Sequence, residues 1–195
     1  MSDGSHGDLS IKKIECQTSQ LDIVWYAIRI TYSREMLFKE YLDANHIENF
    51  VPMHYETVRM RNGNEIRQLV PIIHNLIFMH TTKTCIDDIM RNYACKYPIR
   101  YIMNKYEQKP IIVPNKQMQD FIAFNGTYAE QLVHLDPSEV ALKKGVRVRI
   151  KGGICEGIEG EYMRIAGDRR VVVSIKGVVA IGTAFVHPSL VEVLD

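Results

Sequence analysis

Residues 145–160 limit the fold most strongly, because they join an alternating strand pattern to a series of spaced glycines. Apolar and cationic residues alternate from position 146 to position 151, which is typical of a half-buried strand with a cationic outer face. Glycine then recurs at Gly153, Gly157 and Gly160. Because glycine accepts a positive φ and close backbone approach, the sequence predicts a strand that enters a tight, curled turn.

The composition is that of a chain with ordinary hydrophobic cores. The 195 residues are 46% hydrophobic, which allows one large domain or two small ones. No apolar run approaches the ~20 residues that a membrane helix requires, so we expect no membrane association. Residues 1–22 are polar and lack the apolar segment of a secretory signal, and we expect a disordered leader there. A cytoplasmic location is the resulting expectation.

The distribution of charge limits how the chain could bind nucleic acid. The net charge is only +1, and two mildly basic stretches, 25–125 and 143–195, are separated by an acidic connector. This charge is too weak for tight binding of a duplex by electrostatics alone. Any contact with nucleic acid must therefore use local patches.

Cysteine spacing gives no indication of a metal site. Cys16, Cys85, Cys95 and Cys155 are far apart, form no CxxC motif and have no histidine at zinc-ligand spacing. We expect reduced, structural thiols.

The order of strand and helix patterns predicts an α+β fold in two parts. Residues 23–125 carry a β-α-β-β-α-β-β-α order, which predicts a mainly antiparallel sheet with flanking helices. Strands are expected at 24–31, 50–61, 65–80, 99–103 and 111–113, and helices at 84–93, at 114–124 and after a Ser33 N-cap, with Met36, Leu37, Tyr41 and Leu42 as the apolar stripe. The dipeptide at 62–63 predicts a hairpin turn. Residues 126–142 have the composition of a linker, and 143–195 predict a small all-β barrel.

Several short motifs occur in one order along residues 24–195. Trp25-Tyr26 opens the first strand pattern, and residues 71–79 are PIIHNLIFM. IIVP follows at 111–114, and VSI at 173–175 lies in the expected barrel. Together with residues 145–160, which resemble a KOW motif, these stretches resemble the NusG family of transcription factors. The resemblance implies an NGN-type N-terminal domain, a linker and an SH3-like KOW barrel.

Departures from the general family pattern indicate a specialised member. His74-Asn75 stands where the family has Pro-Gly, and the operon-specific relative RfaH also has asparagine there. Cys155 and Lys176 stand where the barrel usually has phenylalanine. The sequence is most similar to the UpxY subgroup, whose members act as antiterminators at capsular polysaccharide operons.

The resemblance implies a surface that binds the clamp helices of RNA polymerase. By position, Ile73, Leu76 and Phe78 belong to that apolar surface, with Arg29 nearby. An amphipathic helix of the partner would bury its apolar side chains in such a shallow cleft. The alternative is that these residues, Phe78 above all, are ordinary core residues of a sheet.

A cationic hairpin is a candidate for contact with DNA. Arg59, Arg61 and Arg67 flank the expected tip at residues 62–63. By resemblance, they would contact the backbone of upstream DNA beside the transcription bubble. The alternative is an ordinary solvated hairpin.

The residues after the first strand are a second candidate. Thr31, Tyr32 and Arg34 occupy the position at which RfaH-like proteins read the exposed non-template DNA strand. Tyr32 is suited to stack on a base and Arg34 to contact phosphate. The alternative is that they are incidental neighbours of the helix cap at Ser33.

The motif residues of the barrel are a third candidate set: Gly145, Arg147, Arg149, Gly153, Gly157 and Gly160. The cationic strand suits contact with leader RNA or with ribosomal protein S10, or else it keeps an edge strand soluble. Because Cys155 and Lys176 lack aromatic rings, we expect weak binding, or none, to the termination factor Rho.

No arrangement of residues indicates an enzyme. His74 and His80 have an even separation on an expected strand, with no acidic partner beside them, and the sequence has no GxSxG, HExxH or P-loop spacing. We therefore expect no catalytic residue, no metal and no cofactor.

The resemblance implies a processivity factor for transcription. We expect the protein to bridge the polymerase clamp, to touch upstream or non-template DNA, and to suppress pausing and termination at a capsular polysaccharide operon. Two alternatives stay open: a general NusG-type elongation factor, and a KOW-containing RNA- or ribosome-binding module without a polymerase role.

Overall fold

The structure of the protein is a computed structural model, which describes residues 23–60, 63–127, 133–135, 140, 145–153, 156–165, 167–183 and 186–194. The chain has an N-terminal part that combines strands with helices and a C-terminal part that is dominated by strands. We call the second part, which contains the strands between residues 133 and 193, the C-terminal β unit. The architecture agrees with the α+β class that the sequence predicts.

The N-terminal part contains a five-stranded sheet, a separate two-stranded hairpin and three helices. Its elements, in chain order, are β1 (Val24–Ile30), α1 (Glu35–Ala44), β2 (Glu48–Phe50), β3 (Met53–Arg59), β4 (Glu65–Pro71), β5 (Leu76–Thr81), α2 (Lys83–Asn92), β6 (Ile99–Tyr101), β7 (Ile112–Val113) and α3 (Asn115–Thr127). The sheet order is β2-β5-β1-β6, with β7 also paired to β1. All these pairings are antiparallel, as the sequence predicts.

The central strand β1 is buried on both faces. Trp25 and Ala27 lie on one face, Tyr26 and Ile28 lie on the other, and all four side chains are buried. α1 and α2 cover the second face through an apolar cluster that includes Phe38. α3 packs over the first face. This burial on two sides explains why the sequence of β1 is almost continuously apolar.

The buried stripe of α1 differs in part from the predicted one. Tyr41 and Leu42 are buried as expected, and Phe38 joins them. Met36 and Leu37 are instead 39% and 45% exposed. The helix begins at position 35, and its buried positions 38, 41 and 42 follow the i, i+3, i+4 spacing of one helical face.

Two long strands of the prediction are each divided in two. The expected strand 50–61 is interrupted at Pro52, and the expected strand 65–80 is interrupted after Pro71. Proline has no N–H to donate to a strand ladder, and Asn75 has a φ of 66°, which is outside the extended region. Consequently β3 and β4 form their own hairpin, while β2 and β5 stay in the main sheet.

The C-terminal β unit is a six-stranded sheet in which all the pairings are antiparallel. Its strands are β8 (Val133–Leu135), β9 (Val146–Ile150), β10 (Glu159–Ile165), β11 (Asp168–Ile175), β12 (Val179–Gly182) and β13 (Val191–Val193), with a 3-10 helix at Pro188–Leu190. The order is β13-β9-β10-β11-β12-β8. β8 lies within residues 126–142, so part of the expected linker pairs with this sheet.

The glycines after β9 serve two different purposes. Gly153 and Gly157 have φ of 84° and 87°, the conformation that the predicted turn requires. Gly160 lies in β10, where a Cβ atom would come within 2.7 Å of the Val172 carbonyl oxygen. Glycine is therefore needed there for close approach of two strands.

The described cysteines differ in their environment. Cys85 is buried in α2 and is disulfide-bonded, so the expectation of reduced thiols is wrong for this residue. Cys95 is exposed and free. A disulfide depends on the distance between two side chains in space, which the spacing of cysteines along the sequence does not show.

Candidate functional site

The register between β1 and β5 brings three of the expected polymerase-binding residues onto one face of the sheet. Arg29 lies directly opposite Leu76, and Ala27 lies opposite Phe78. Leu76 and Phe78 are 1% and 0% exposed. Phe78 packs against Phe121 of α3 with ring centroids 5.9 Å apart. Leu76 and Phe78 thus lie in the core, whereas Arg29 is exposed.

The fourth expected residue, Ile73, lies in the segment between β4 and β5. It is half-buried, and together with Ile72 it packs against the apolar cluster that contains Leu76 and Phe78. This segment therefore adds partly exposed apolar surface to the edge of a buried core.

The C-terminal β unit packs on the same side of the sheet. The apolar cluster around Phe78 and Phe121 continues into the β unit at Val171. Gln117 of α3 donates a hydrogen bond from Nε2 to the Ser174 carbonyl oxygen at 2.8 Å. The two parts of the chain thus share one core, and burial of apolar area stabilises their junction by roughly 25 cal/mol per Å².

Glu159 joins the two parts electrostatically. Its carboxylate lies 3.3 Å from the Lys116 Nζ of α3, 3.1 Å from the Arg147 Nη2 and 2.8 Å from the Arg149 Nη2. The hydrogen bond from Arg149, assisted by Lys116, lowers the pKa of Glu159 to about 2. The two arginines expected to contact RNA or protein are therefore paired with an acid of this chain.

The turn after β1 has a backbone conformation that is rare outside glycine. Tyr32 and Ser33 have φ of 66° and 50°, in the left-handed region. Asn75 stabilises this turn, because its Oδ1 accepts a hydrogen bond of 2.8 Å from the Ser33 N–H. Its carbonyl oxygen also accepts a hydrogen bond of 3.1 Å from the Ile30 N–H. One asparagine thus fixes both the end of β1 and the turn that follows.

The prediction that Ser33 caps α1 is wrong. The N-cap residue is Arg34, and no side-chain hydrogen bond caps this helix within the described chain. The Ser33 N–H instead donates to Asn75 across the turn. A serine before an apolar stripe predicts a cap only where the chain enters the helix in an extended conformation, and here it enters from a left-handed turn.

The three candidate residues at this turn differ in exposure and in partners. Tyr32 is 79% exposed, whereas Thr31 and Arg34 are half-buried. The Arg34 guanidinium carbon lies 5.6 Å from the Tyr32 ring centroid, and Nη1 donates to the Lys96 carbonyl oxygen at 3.0 Å. The Thr31 N–H donates to the Pro98 carbonyl oxygen at 3.2 Å. The exposed ring can stack on a base, and the guanidinium beside it, which is positioned by its hydrogen bond to the backbone, can bind a phosphate.

Two histidines have acidic partners that the sequence analysis did not find. Glu35 is 2% exposed, and its Oε1 lies 3.2 Å from the Nδ1 of the exposed His74. His80 pairs with Glu48 and stacks on Trp25 with ring centroids 4.8 Å apart. The expectation that neither histidine has an acid beside it is wrong, because the acids come from α1 and β2 and not from the histidines' own segment.

In the β3–β4 hairpin, position 59 lies directly opposite position 65, and position 57 lies directly opposite position 67. Since positions 57 and 59 are on the same face of β3, Arg59 and Arg67 share one face of the hairpin. The Arg67 guanidinium carbon lies 4.4 Å from the centroid of the Tyr55 ring. Gly63 has a φ of 85°, as the predicted turn requires. Arg61 lies outside the described residues. The hairpin is exposed along most of its length.

The described residues contain no site for a metal ion and no membrane helix. No group of three or more His, Cys, Asp and Glu side chains is placed there to hold a metal. In the same residues, no helix combines the length and apolarity needed to cross a bilayer.

The residues that organise these surfaces are not apparent from the sequence. Asn75 stands out there only as a departure from a family pattern, and Gln117 and Glu159 do not stand out at all. Asparagine tolerates the left-handed conformation better than most residues, which is the signal that could have indicated a turn at position 75. The contacts of the other two join distant parts of the chain, for which the sequence has no local signal.

Asn75→Ala should destabilise the folded protein by about 2 kcal/mol. The change removes a hydrogen bond worth about 1 kcal/mol and leaves alanine in the left-handed region, at a cost of about 1–2 kcal/mol. Asn75→Asp keeps an acceptor oxygen and a residue that tolerates this conformation, so most of the stability should remain. Urea denaturation measures the free energy of unfolding of both variants. Equal losses would show that the acceptor does not hold the turn.

Glu159→Gln should lower the stability of the folded chain at pH 7. The folded-state pKa lies below the ordinary value of 4.5. The contribution of the carboxylate is therefore complete above pH 4.5 and is lost as the pH falls through about 2. Urea denaturation of both proteins should show a stability difference that shrinks toward pH 2.

Glu156→Gln is the matched control for this measurement. Glu156 is exposed, and its carboxylate makes no ion pair with another residue that the structure describes, so its replacement should leave the urea midpoint unchanged at each pH. An effect of Glu159→Gln that does not vary with pH would contradict the ion-pair explanation.

Comparison with known proteins identifies the N-terminal part of the chain. Residues 23–122, which run from the start of β1 into α3, match the family model described as transcription termination factor nusG. No curated protein matches the chain. Since the match covers half of the chain, the protein belongs to the NusG family, a non-enzymatic family of transcription elongation and termination factors that bind RNA polymerase.

Proposed function

We propose that this protein is a transcription antitermination factor that binds the clamp helices of RNA polymerase and suppresses pausing and termination. The observation that carries the proposal is the family match over residues 23–122, which contain Arg29 on the sheet and Ile73 in the segment before β5. In this proposal residues 23–125 are an NGN-type domain, 126–142 a linker and 143–195 a KOW domain.

The polymerase surface in this proposal consists of an accessible layer over a supporting core. Ile73 is half-buried and available for contact, whereas Leu76 and Phe78 lie beneath it. A clamp helix and the C-terminal β unit would use the same side of the sheet, because the β unit shares the apolar cluster there. Polymerase would then bind best to molecules in which the β unit has moved away, which shifts the population toward that arrangement.

Ile73→Asp should weaken binding of the full-length protein to RNA polymerase at least tenfold. A carboxylate buried against a partner helix without a hydrogen-bond partner costs more than the 1.4 kcal/mol that corresponds to a tenfold change. Immobilised polymerase core enzyme provides the binding assay, and circular dichroism checks the fold of each variant.

Leu37→Asp is the control for this change. Leu37 is 45% exposed and lies on α1, which covers the opposite face of the sheet. The substitution introduces the same charge as Ile73→Asp, and binding to RNA polymerase should stay at the wild-type level. Equal binding by the two variants would contradict the placement of the polymerase surface.

Contact with DNA in this proposal uses the two cationic segments. Arg59 and Arg67 of the hairpin, together with Arg61, which lies outside the described residues, would contact the backbone of upstream DNA. The exposure of β3 and β4 supports this for Arg59 and Arg67. Tyr32 would stack on a base of the non-template strand, with Thr31 and Arg34 beside it. Support comes from the exposed Tyr32 ring and from the position of Arg34 next to it.

The C-terminal β unit would contribute weaker contacts. Arg147 and Arg149 are paired with Glu159, so leader RNA or ribosomal protein S10 would have to compete with this acid. Lys176 is exposed in the turn between β11 and β12 and offers no apolar ring to Rho. We therefore propose weak Rho binding, or none. We also propose a cytoplasmic site of action.

Restriction to one capsular polysaccharide operon is the most specific element of the proposal. Genome-wide occupancy of this protein, measured together with that of RNA polymerase in its native cell, should be confined to one such operon and begin near its leader. Occupancy that follows polymerase on most genes would instead indicate a general elongation factor. Absence of shared occupancy would contradict both and favour an RNA- or ribosome-binding module.

A further inference from the structure

Two arginines face each other across adjacent strands of the N-terminal sheet. Arg29 of β1 and Arg100 of β6 are directly opposite in the antiparallel register, and both are exposed. Directly opposed residues have Cβ atoms about 5 Å apart, where like charges are destabilising. Neither arginine has an ion-pair partner within the described residues. A pair of arginines with no ion-pair partner among the described residues is suited to bind an anionic group.

The pair lies beside the left-handed turn that follows β1. The Thr31 N–H donates to the Pro98 carbonyl oxygen, and Arg34 donates to the Lys96 carbonyl oxygen. These two bonds tie the turn to the segment that enters β6. The turn and the two strand ends thus form one surface at one end of the sheet.

This surface combines cations with an exposed aromatic ring. Residues 29–34 and 96–101 include no Asp or Glu, and their cations are Arg29, Arg34, Lys96 and Arg100. The next acid along the chain, Glu35, is buried and pairs with His74. Tyr32 is 79% exposed in a backbone conformation that costs free energy. Strained, exposed residues of this kind are concentrated at functional sites.

We propose that Arg29 and Arg100 bind adjacent backbone phosphates of a single-stranded nucleic acid, one base of which stacks on Tyr32. The inference rests on the proposed function, in which the turn at Tyr32 contacts a nucleic-acid strand. It adds Arg100 to that contact and assigns Arg29 to the strand rather than to polymerase.

The chemistry of the surface favours this ligand over others. Guanidinium groups form paired, charge-assisted hydrogen bonds with phosphate oxygens, and a phosphate beside each arginine removes their mutual repulsion. A single strand also offers an unpaired base to the Tyr32 ring, whereas the bases of a duplex are already stacked and an acidic protein helix has none. The combination of opposed cations and an exposed ring therefore fits a single strand best.

Binding of the full-length protein to a single-stranded DNA of about 12 nucleotides, measured over a series of salt concentrations, tests the pair. The slope of log K against log salt should lose about 0.7 in magnitude for each phosphate contact that is removed. Arg29→Gln and Arg100→Gln should each show this loss, and the double variant should lose about 1.4.

Two further variants separate charge from stacking and from general effects. Arg91→Gln removes the same charge from α2, on the opposite side of the sheet, and should leave the slope unchanged. Tyr32→Ala should weaken binding about fivefold or more without a change in slope, because stacking releases no counterions. The arginine variants should unfold at no lower urea concentration than the wild type, since they relieve repulsion.

The inference would be overturned if the slope of log K against log salt were the same for Arg29→Gln, Arg100→Gln and Arg91→Gln. Loss of polymerase binding by the first two with unchanged DNA binding would also overturn it and assign the pair to acidic side chains of polymerase. Failure of the wild-type protein to bind polymerase would refute the proposed function alone, because the DNA measurement does not depend on polymerase.

Discussion

The pairing of β1 with β5 is the constraint on which the rest of this structure depends. Both strands are buried on both faces, so their register decides which side chains enter each apolar cluster. A shift of β1 by one residue would exchange Trp25 with Tyr26 between the two faces and would turn Arg29 toward the cluster that contains Phe38. The three helices and the C-terminal β unit pack on surfaces that exist only with the observed register.

Asn75 connects this pairing to the candidate nucleic-acid surface. Its left-handed conformation lies between the β3–β4 hairpin and β5, and its side chain holds the turn at Ser33. Two sets of arginines in the chain differ in their electrostatic environment. Arg149 is paired with Glu159 in the β unit, whereas the arginine in the sheet at position 29 faces another arginine. The uncompensated charge, rather than the total charge, indicates where an anionic partner fits.

Much of the fold follows from local patterns. The apolar run of β1, the glycine of the hairpin tip and the alternation around Val148 and Ile150 each reflect a physical rule that acts over a few residues, and the structure agrees with them. The predicted long strands were wrong because of a local constraint, whereas the predicted cap at Ser33 was wrong because of a contact with a residue far away in the sequence. Proline interrupted the ladders, and a distant asparagine redirected the turn. The acidic partners of His74 and His80 belong to other helices and strands. Periodicity along a single segment does not detect such contacts.

The sequence by itself determined the α+β class, the positions of most helices and strands and the family, because these depend on periodicity, glycine and proline chemistry and ordered motifs within short stretches. The tertiary structure alone decided which candidate residues are accessible. It buried Leu76 and Phe78, paired the cations of β9 with Glu159 and left Arg29 opposite Arg100. Burial and charge pairing depend on distances between residues that are far apart in the chain, and only the strand register and the packing of the two parts fix those distances.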